Sequence, residues 1–198
     1  MARHPGAGKR QRSSPFVVNV ARLGRRPGSM LSLREQRCSA GSIGLDLMAI
    51  PVGAEVTLDL RIESVSEGVL VTGSVSAPTA GECARCLQPI TGDIEIELTE
   101  LFAYPDSATD ATTEDDEIGR VVDDSVDLEQ AIVDAIGLAL PLSPLCDPDC
   151  AGLCPDCGAV LADFEGSEHH HDKIDPRWAK LAGMAGPQGG RPSDDGDR

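Results

Sequence analysis

Between Glu55 and Ile62 the chain reads EVTLDLRI, in which Val56, Leu58, Leu60 and Ile62 alternate with Glu55, Thr57, Asp59 and Arg61. Strict alternation puts the four aliphatic side chains on one face of a strand and the polar four on the other. Glu67 and Gly68 offer a turn, and VLVTGSV over residues 69–75 returns with Val69, Val71 and Val75 in phase, which predicts a β-hairpin. IEIELTEL over residues 94–101 alternates again, with Ile94, Ile96 and Leu98 inward, and FVVNVARL over residues 16–23 is a further candidate strand. Short strands joined by tight links predict an antiparallel sheet with one wet face.

The period changes after Asp127, where Leu128, Ala131, Ile132, Ala135 and Ile136 recur at helical spacing. Asp127 followed by Gln130 fits a capping box, and Pro141 sets the far limit of a helix of about three turns. The expected fold class is therefore α+β: an antiparallel β-sheet, one main helix and a C-terminal zinc-knuckle segment built on four cysteines. One domain is expected over residues 15–181, between a disordered basic arm (1–14) and a disordered tail (182–198) that both lack periodic apolar positions. Residues 105–126 are poor in apolar side chains and include Asp115, Asp116 and Glu117 in a row, which reads as an acidic loop.

Composition sharpens this picture in two ways. Aromatic residues are only 3% of the 198, so aliphatic packing must dominate, and the ring platforms on which single-stranded nucleic acids stack are nearly absent. The net charge of −16 is also divided unevenly, because residues 1–37 hold 9 of the 17 Lys and Arg and one acid, Glu35. A basic arm suits phosphate backbones and an acidic body suits a basic protein, although each also serves as a solvated surface. In the turn-rich loop GRRPGSM and just before it, Arg22, Arg25 and Arg26 are the most exposed-looking cations. The basic N-terminus lacks the apolar run that a secretory signal needs, no 18 uncharged apolar residues follow one another, and a cytoplasmic location is expected.

The densest chemistry lies at CDPDCAGLCPDC, where Cys146, Cys150, Cys154 and Cys157 crowd one Pro-, Gly- and Asp-rich loop (145–160). Four thiolates can close a tetrahedral shell on Zn²⁺ with no open position, so the first expectation is a structural zinc site made of these four. The second is that Cys83 and Cys86, in GECARCLQP, join two of them and staple the sheet to the C-terminal segment. A redox dithiol at Cys83 and Cys86, with Arg85 lowering a thiol pKa, ranks below both, because such pairs favour a helix start after a parallel strand. His169, His170 and His171 could supply a ligand, but an exposed polar stretch is the commoner outcome for such a triplet. Cys38 has no partner spacing, and no nucleophile and base are assembled by any recognisable motif, so no enzyme is expected.

The CxRC segment with Leu87, the run DLEQAIVDAIGLALPLSP and the cluster CDPDCAGLCPDCG together resemble the YceD family of bacterial proteins, the large-subunit ribosomal RNA accumulation family. FVVNVARLGRRPGSM and DPRWAKL are similar to its actinobacterial branch, and the resemblance covers residues 16 to 181. It implies a non-enzymatic factor needed for normal levels of large-subunit rRNA, acting in precursor processing or early assembly. The expected partners are the large-subunit rRNA precursor, a basic ribosomal protein, or both, with no membrane and no small-molecule substrate. Arg22, Arg25, Arg26 and Arg85 are the expected contacts. The alternatives are a zinc-dependent protein-interaction adaptor without RNA contact and, ranked lower, a dithiol oxidoreductase using Cys83 and Cys86.

Overall fold

The computed structural model describes residues 14–105, 107–112, 118–164, 169–171 and 177. The expected arm and tail lie outside these, apart from Ser14, as does the acidic triplet of residues 115–117. The chain divides into two compact units, residues 1–151 and 152–198, and the boundary falls inside the cysteine-rich loop.

In the first unit the strands are β1 (Val17–Asn19), β2 (Met30–Cys38), β3 (Ile43–Gly44), β4 (Met48–Ile50), β5 (Glu55–Ser64), β6 (Gly68–Glu82) and β7 (Pro89–Ala103). A short helix α1 (Ala108–Thr112), strands β8 (Gly119–Arg120) and β9 (Ser125–Asp127), and the main helix α2 (Glu129–Ala139) follow. The stretch expected as an acidic loop thus contains α1 and two strands. Its turns are held in part by side chains, since Arg120 pairs with Asp110 at 2.6 Å.

Strand β6 is the axis of the main sheet. On one side it pairs along its whole length with β7, from Gly68 opposite Ala103 to Glu82 opposite Pro89. On its other side it pairs first with β5, up to Ser76, and then with β4, from Ala80. Pro78 falls in the gap of that edge, where a missing N–H removes no ladder bond. All these pairings are antiparallel; β8 adds a short parallel pairing to β7, and β1 and β9 form a separate two-stranded ribbon.

The alternation in β5 holds in full: Val56, Leu58, Leu60 and Ile62 are buried against Val69, Val71, Val75, Ile96 and Leu98 in one core. Helix α2 contributes Ile132 and Ile136 to that core and packs on β7 and β3. Its start differs from the expected capping box. Asp127 Oδ1 accepts from the Glu129 N–H at 3.0 Å, and Gln130 turns forward to donate to Asp134 Oδ1 at 2.8 Å. The reason is that Asp127 is still the last residue of β9, so Leu128 takes the N-cap position. Just past the far end, Leu140 packs so closely on β3 that a Cβ at Gly44 would lie 2.6 Å from Leu140 Cδ1.

The opposite face of the sheet is wet and acidic. Residues opposite one another in a ladder share a face, which aligns Asp59 with Ser74 and Glu97, and Thr57 with Ser76 and Glu95. With Asp93 and Glu55, these carboxylates leave Arg34 and Arg61 as the cations on that face, Arg34 pairing with Asp59 at 3.5 Å. Among the described residues, no helix is long and apolar enough to cross a membrane.

Candidate metal centres and charged surfaces

The six residues between β6 and β7 form the turn of the longest hairpin, and that turn is a cysteine knuckle. The Cys83 N–H donates to Gln88 O at 2.8 Å and the Leu87 N–H to Cys83 O at 2.9 Å. The Arg85 N–H points at Cys83 Sγ, 3.4 Å away. Closing so tight a loop puts Leu87 in the left-handed region at φ +59°, an uncommon conformation for a branched side chain. Cys83 and Cys86 are buried on the inner side of this turn.

Opposite them comes the segment after α2. The Ala84 N–H donates to Pro144 O at 2.8 Å, and Arg85 Nη1 reaches Cys150 O at 3.0 Å and Pro148 O at 3.4 Å. A local turn, in which the Cys150 N–H donates to Asp147 O and the Asp149 N–H to Asp147 Oδ1, aims Cys146 and Cys150 at the knuckle. Cys83 Sγ lies 3.8 Å from Cys150 Sγ, and Cys86 Sγ lies 3.5 Å from Cys146 Sγ. Sulfurs around a tetrahedral ion with metal–sulfur distances of about 2.3 Å sit about 3.8 Å apart, whereas a disulfide needs about 2.05 Å. The four sulfurs lie within 4.8 Å of one another.

The sulfurs that converge are therefore grouped differently from the shell first expected of Cys146, Cys150, Cys154 and Cys157 together. The second expectation, Cys83 and Cys86 joined to two of the later cysteines, matches the grouping of Cys83, Cys86, Cys146 and Cys150. Cys154 and Cys157 converge instead with His169 and His171. The physical reason is the knuckle itself, a turn that presents two sulfurs to one side and leaves the other half of a tetrahedron to another segment. The repeated C-x-x-C at Cys83 and Cys154 carried that signal, since two knuckles call for two completing pairs.

Without a cation, four thiols this close cannot all ionise. Burial opposes ionisation of Cys83, but N–H groups of Cys146, Cys86 and Arg85 outweigh it and lower the thiol from 9.0 to about 6. Cys146 is pushed up to about 12, first by its thiol neighbours Cys86 and Cys150 and then by burial. For Cys86 the Gln88 N–H pulls downward, yet burial and the neighbouring sulfurs win and raise the thiol. Such a set shares protons among its sulfurs, and a metal ion would displace them. A disulfide-exchanging dithiol needs an exposed, acidic sulfur, and the low-pKa Cys83 has 0% exposure, which gives the redox alternative no support.

The expected cations occupy two settings. Arg22, Arg25 and Arg26 are exposed in the loop between β1 and β2. Arg25 lies over the Tyr104 ring, 5.1 Å from its centroid, and Tyr104 Oη is 2.8 Å from Ser64 Oγ in the core. Arg85, by contrast, clamps the cysteine loop.

These features define an antiparallel-sheet protein whose longest hairpin closes on a cluster of four cysteines able to hold a metal ion and whose surfaces are divided by charge. The family model described as "Large ribosomal RNA subunit accumulation protein YceD" matches residues 71–185, and the chain belongs to that family. It is similar to uncharacterized proteins of Mycobacterium tuberculosis and Mycobacterium bovis, each 62% identical over 189 residues, or 95% of this chain and 90% of the relative. The Bacillus subtilis protein YlbN is 28% identical over 134 residues, 66% of this chain and 72% of that protein. No solved structure matches.

Proposed function

We propose that this chain is a non-enzymatic factor in the production of the large ribosomal subunit, acting on precursor rRNA processing or early assembly. Family membership carries the reading: the matched family is described by accumulation of large-subunit ribosomal RNA. The charged surfaces supply its mechanism. Exposed Arg22 and Arg26 meet RNA phosphates, where guanidinium groups bind through charge and fork geometry. The acidic sheet face, with Glu55, Asp59, Asp93, Glu95 and Glu97, holds a basic ribosomal protein until rRNA takes it over.

In this reading Zn²⁺ is the ion at Cys83, Cys86, Cys146 and Cys150. Four sulfur donors with no open position suit a structural zinc, which fixes the segment after α2 against the β6–β7 turn. The ion would shape the binding surfaces and do no chemistry of its own.

Gradient sedimentation of lysates from cells enriched for precursor subunits tests the proposal, with protein and rRNA followed in the same fractions. Co-migration with the large-subunit precursor at low salt, and loss of mature large-subunit rRNA on deletion, are expected. Migration only at the top of the gradient, with unchanged rRNA on deletion, overturns it.

A further inference from the structure

Residues 154–159 repeat the first knuckle bond for bond. The Cys154 N–H donates to Ala159 O at 2.8 Å and the Gly158 N–H to Cys154 O at 2.9 Å, while the Asp156 N–H points at Cys154 Sγ, 3.4 Å away. Cys83, Leu87, Gln88 and Arg85 make the same three contacts at matching positions. The residue after the second cysteine is left-handed in both, Leu87 at φ +59° and Gly158 at φ +74°. Two stretches far apart in the sequence have thus taken the conformation that points a pair of sulfurs at one spot.

What completes the second group is imidazole. Cys157 Sγ lies 3.4 Å from His169 Nε2, which is 2.9 Å from His171 Nε2, and the four donor atoms lie within 4.8 Å of one another. A tetrahedral ion with metal–sulfur distances of about 2.3 Å and metal–nitrogen distances of about 2.05 Å sets sulfur–nitrogen edges near 3.6 Å and nitrogen–nitrogen edges near 3.3 Å. The observed separations are within about 0.4 Å of both. The 3₁₀ turn Leu161–Phe164 places the Phe164 ring 4.3 Å from the His169 ring, and the two His rings stand edge to face at 81°.

A second, independent observation is how little side chain is buried among the described residues here. Among the described residues of this unit the only buried side chain is that of Cys154. A bridge between Leu153 and Val160 and the Leu161 N–H to Gly152 O bond close the loop, and among the described residues of this unit no buried apolar side chain backs them. Turns with so little core are commonly held by a disulfide or a metal, and Cys154 and Cys157 are unbridged.

We infer that Cys154, Cys157, His169 Nε2 and His171 Nε2 form a second metal site, binding one tetrahedral divalent ion of the zinc class independently of the four-cysteine centre. Its donor set of two thiolates and two imidazoles suits a structural ion that ties the Cys154–Cys157 turn to His169 and His171.

The test is metal stoichiometry of the full-length chain, with Zn²⁺ measured by native mass spectrometry and Co²⁺ substitution read by its visible ligand-field bands. Wild type should bind two ions and show the superposed spectra of an all-sulfur site and a mixed sulfur–nitrogen site. The double variant His169→Ala/His171→Ala should bind one and keep the all-sulfur spectrum, which doubles as the control that the first unit is folded. Cys83→Ser/Cys86→Ser should bind one and keep the sulfur–nitrogen spectrum. One ion in wild type, or two retained in the histidine double variant, overturns the inference. These outcomes are read without reference to rRNA, so this site and the ribosomal proposal can fail separately.

Discussion

Cys83 Sγ and Cys150 Sγ, 67 residues apart in the chain, lie 3.8 Å apart at the tip of the β6–β7 hairpin. If one ion ties them, Cys83→Ser and Cys150→Ser should each abolish one equivalent of bound zinc. Binding at a structural thiolate site is coupled to folding, and the loss should lower the melting temperature by about 10 °C or more. Calorimetry beside metal analysis checks both, and an unchanged melting temperature with full zinc content would count against the four-cysteine centre.

Metal removal should also change how stability depends on pH. In the stripped, reduced protein the Cys83 and Cys154 thiols sit at about 6 and about 7, below their ordinary 9.0, the latter chiefly through the Asp156 N–H against opposing burial. Depressed thiols contribute stability that is complete above pH 9.0 and is lost as pH falls through these values. Cys146, held at about 12, has the opposite sign, with a contribution complete below 9.0 and lost as pH rises toward 12. Metal-free stability should therefore rise from pH 6 to a maximum near pH 9 and fall beyond it. Denaturant titrations with chelator and reductant present measure this, and a flat profile over that range would contradict it.

The two knuckles differ at the residue that must be left-handed. Gly158 takes that conformation freely, whereas for Leu87 it costs about 1 kcal/mol, and at 54% exposure little burial offsets the strain. Leu87→Gly should be neutral or stabilising by up to about 1 kcal/mol in the zinc-loaded protein. Equilibrium unfolding in denaturant decides, and a loss of more than that amount would show that Leu87 packs on something the chain needs.

The Tyr104 hydroxyl serves Ser64, whose side chain is buried in the core at 0% exposure. Tyr104→Phe leaves the Ser64 hydroxyl without that partner and should cost about 1 to 3 kcal/mol. Arg25→Ala removes only the cation above the ring and should cost at most about 1 kcal/mol. Comparing the two in the same unfolding assay separates the stabilising role of Arg25 from any role in binding.

Arg22 and Arg26 have no ion pair among the described residues and are free to meet phosphates. If each neutralises one phosphate of a single-stranded segment, replacing either by Ala should reduce the slope of log affinity against log salt by about 0.7. Titrations of a large-subunit rRNA fragment at several salt concentrations give that slope. Equal slopes in wild type and variants would remove these two residues from the RNA interface.

Sequence pattern revealed the elements that bury one face against water on the other. Val56 through Ile62 and Ile94 through Leu98 alternate because each strand has a core side and a wet side. Strand β2 escaped notice for a physical reason: its inward positions change from Leu31 and Leu33 to Glu35 and Arg37 as it runs out of core to cover. Arg37 is retained there by donating to Pro15 O and Val17 O, a tertiary contact that no local pattern announces. Strand β6 looked shorter than it is because Pro78 and Gly81 break the alternation, and only the vacant edge position explains how a proline fits. The cysteines showed that sulfur would converge, while the partition into two groups depended on distances between segments 60 residues and more apart.

The knuckle at the β6–β7 turn also bears on the order in which the protein acquires its shape. A six-residue connection costs little entropy to close, whereas bringing Cys146 or Cys150 to Cys83 closes a loop of more than 60 residues. The hairpin can therefore zip early from a turn that already presents two sulfurs, and an ion bound there would complete its shell last, once α2 has been laid down. A chain emerging from a ribosome offers the first pair of sulfurs long before the second exists, and a bound ion would then be a late clasp on a body already assembled.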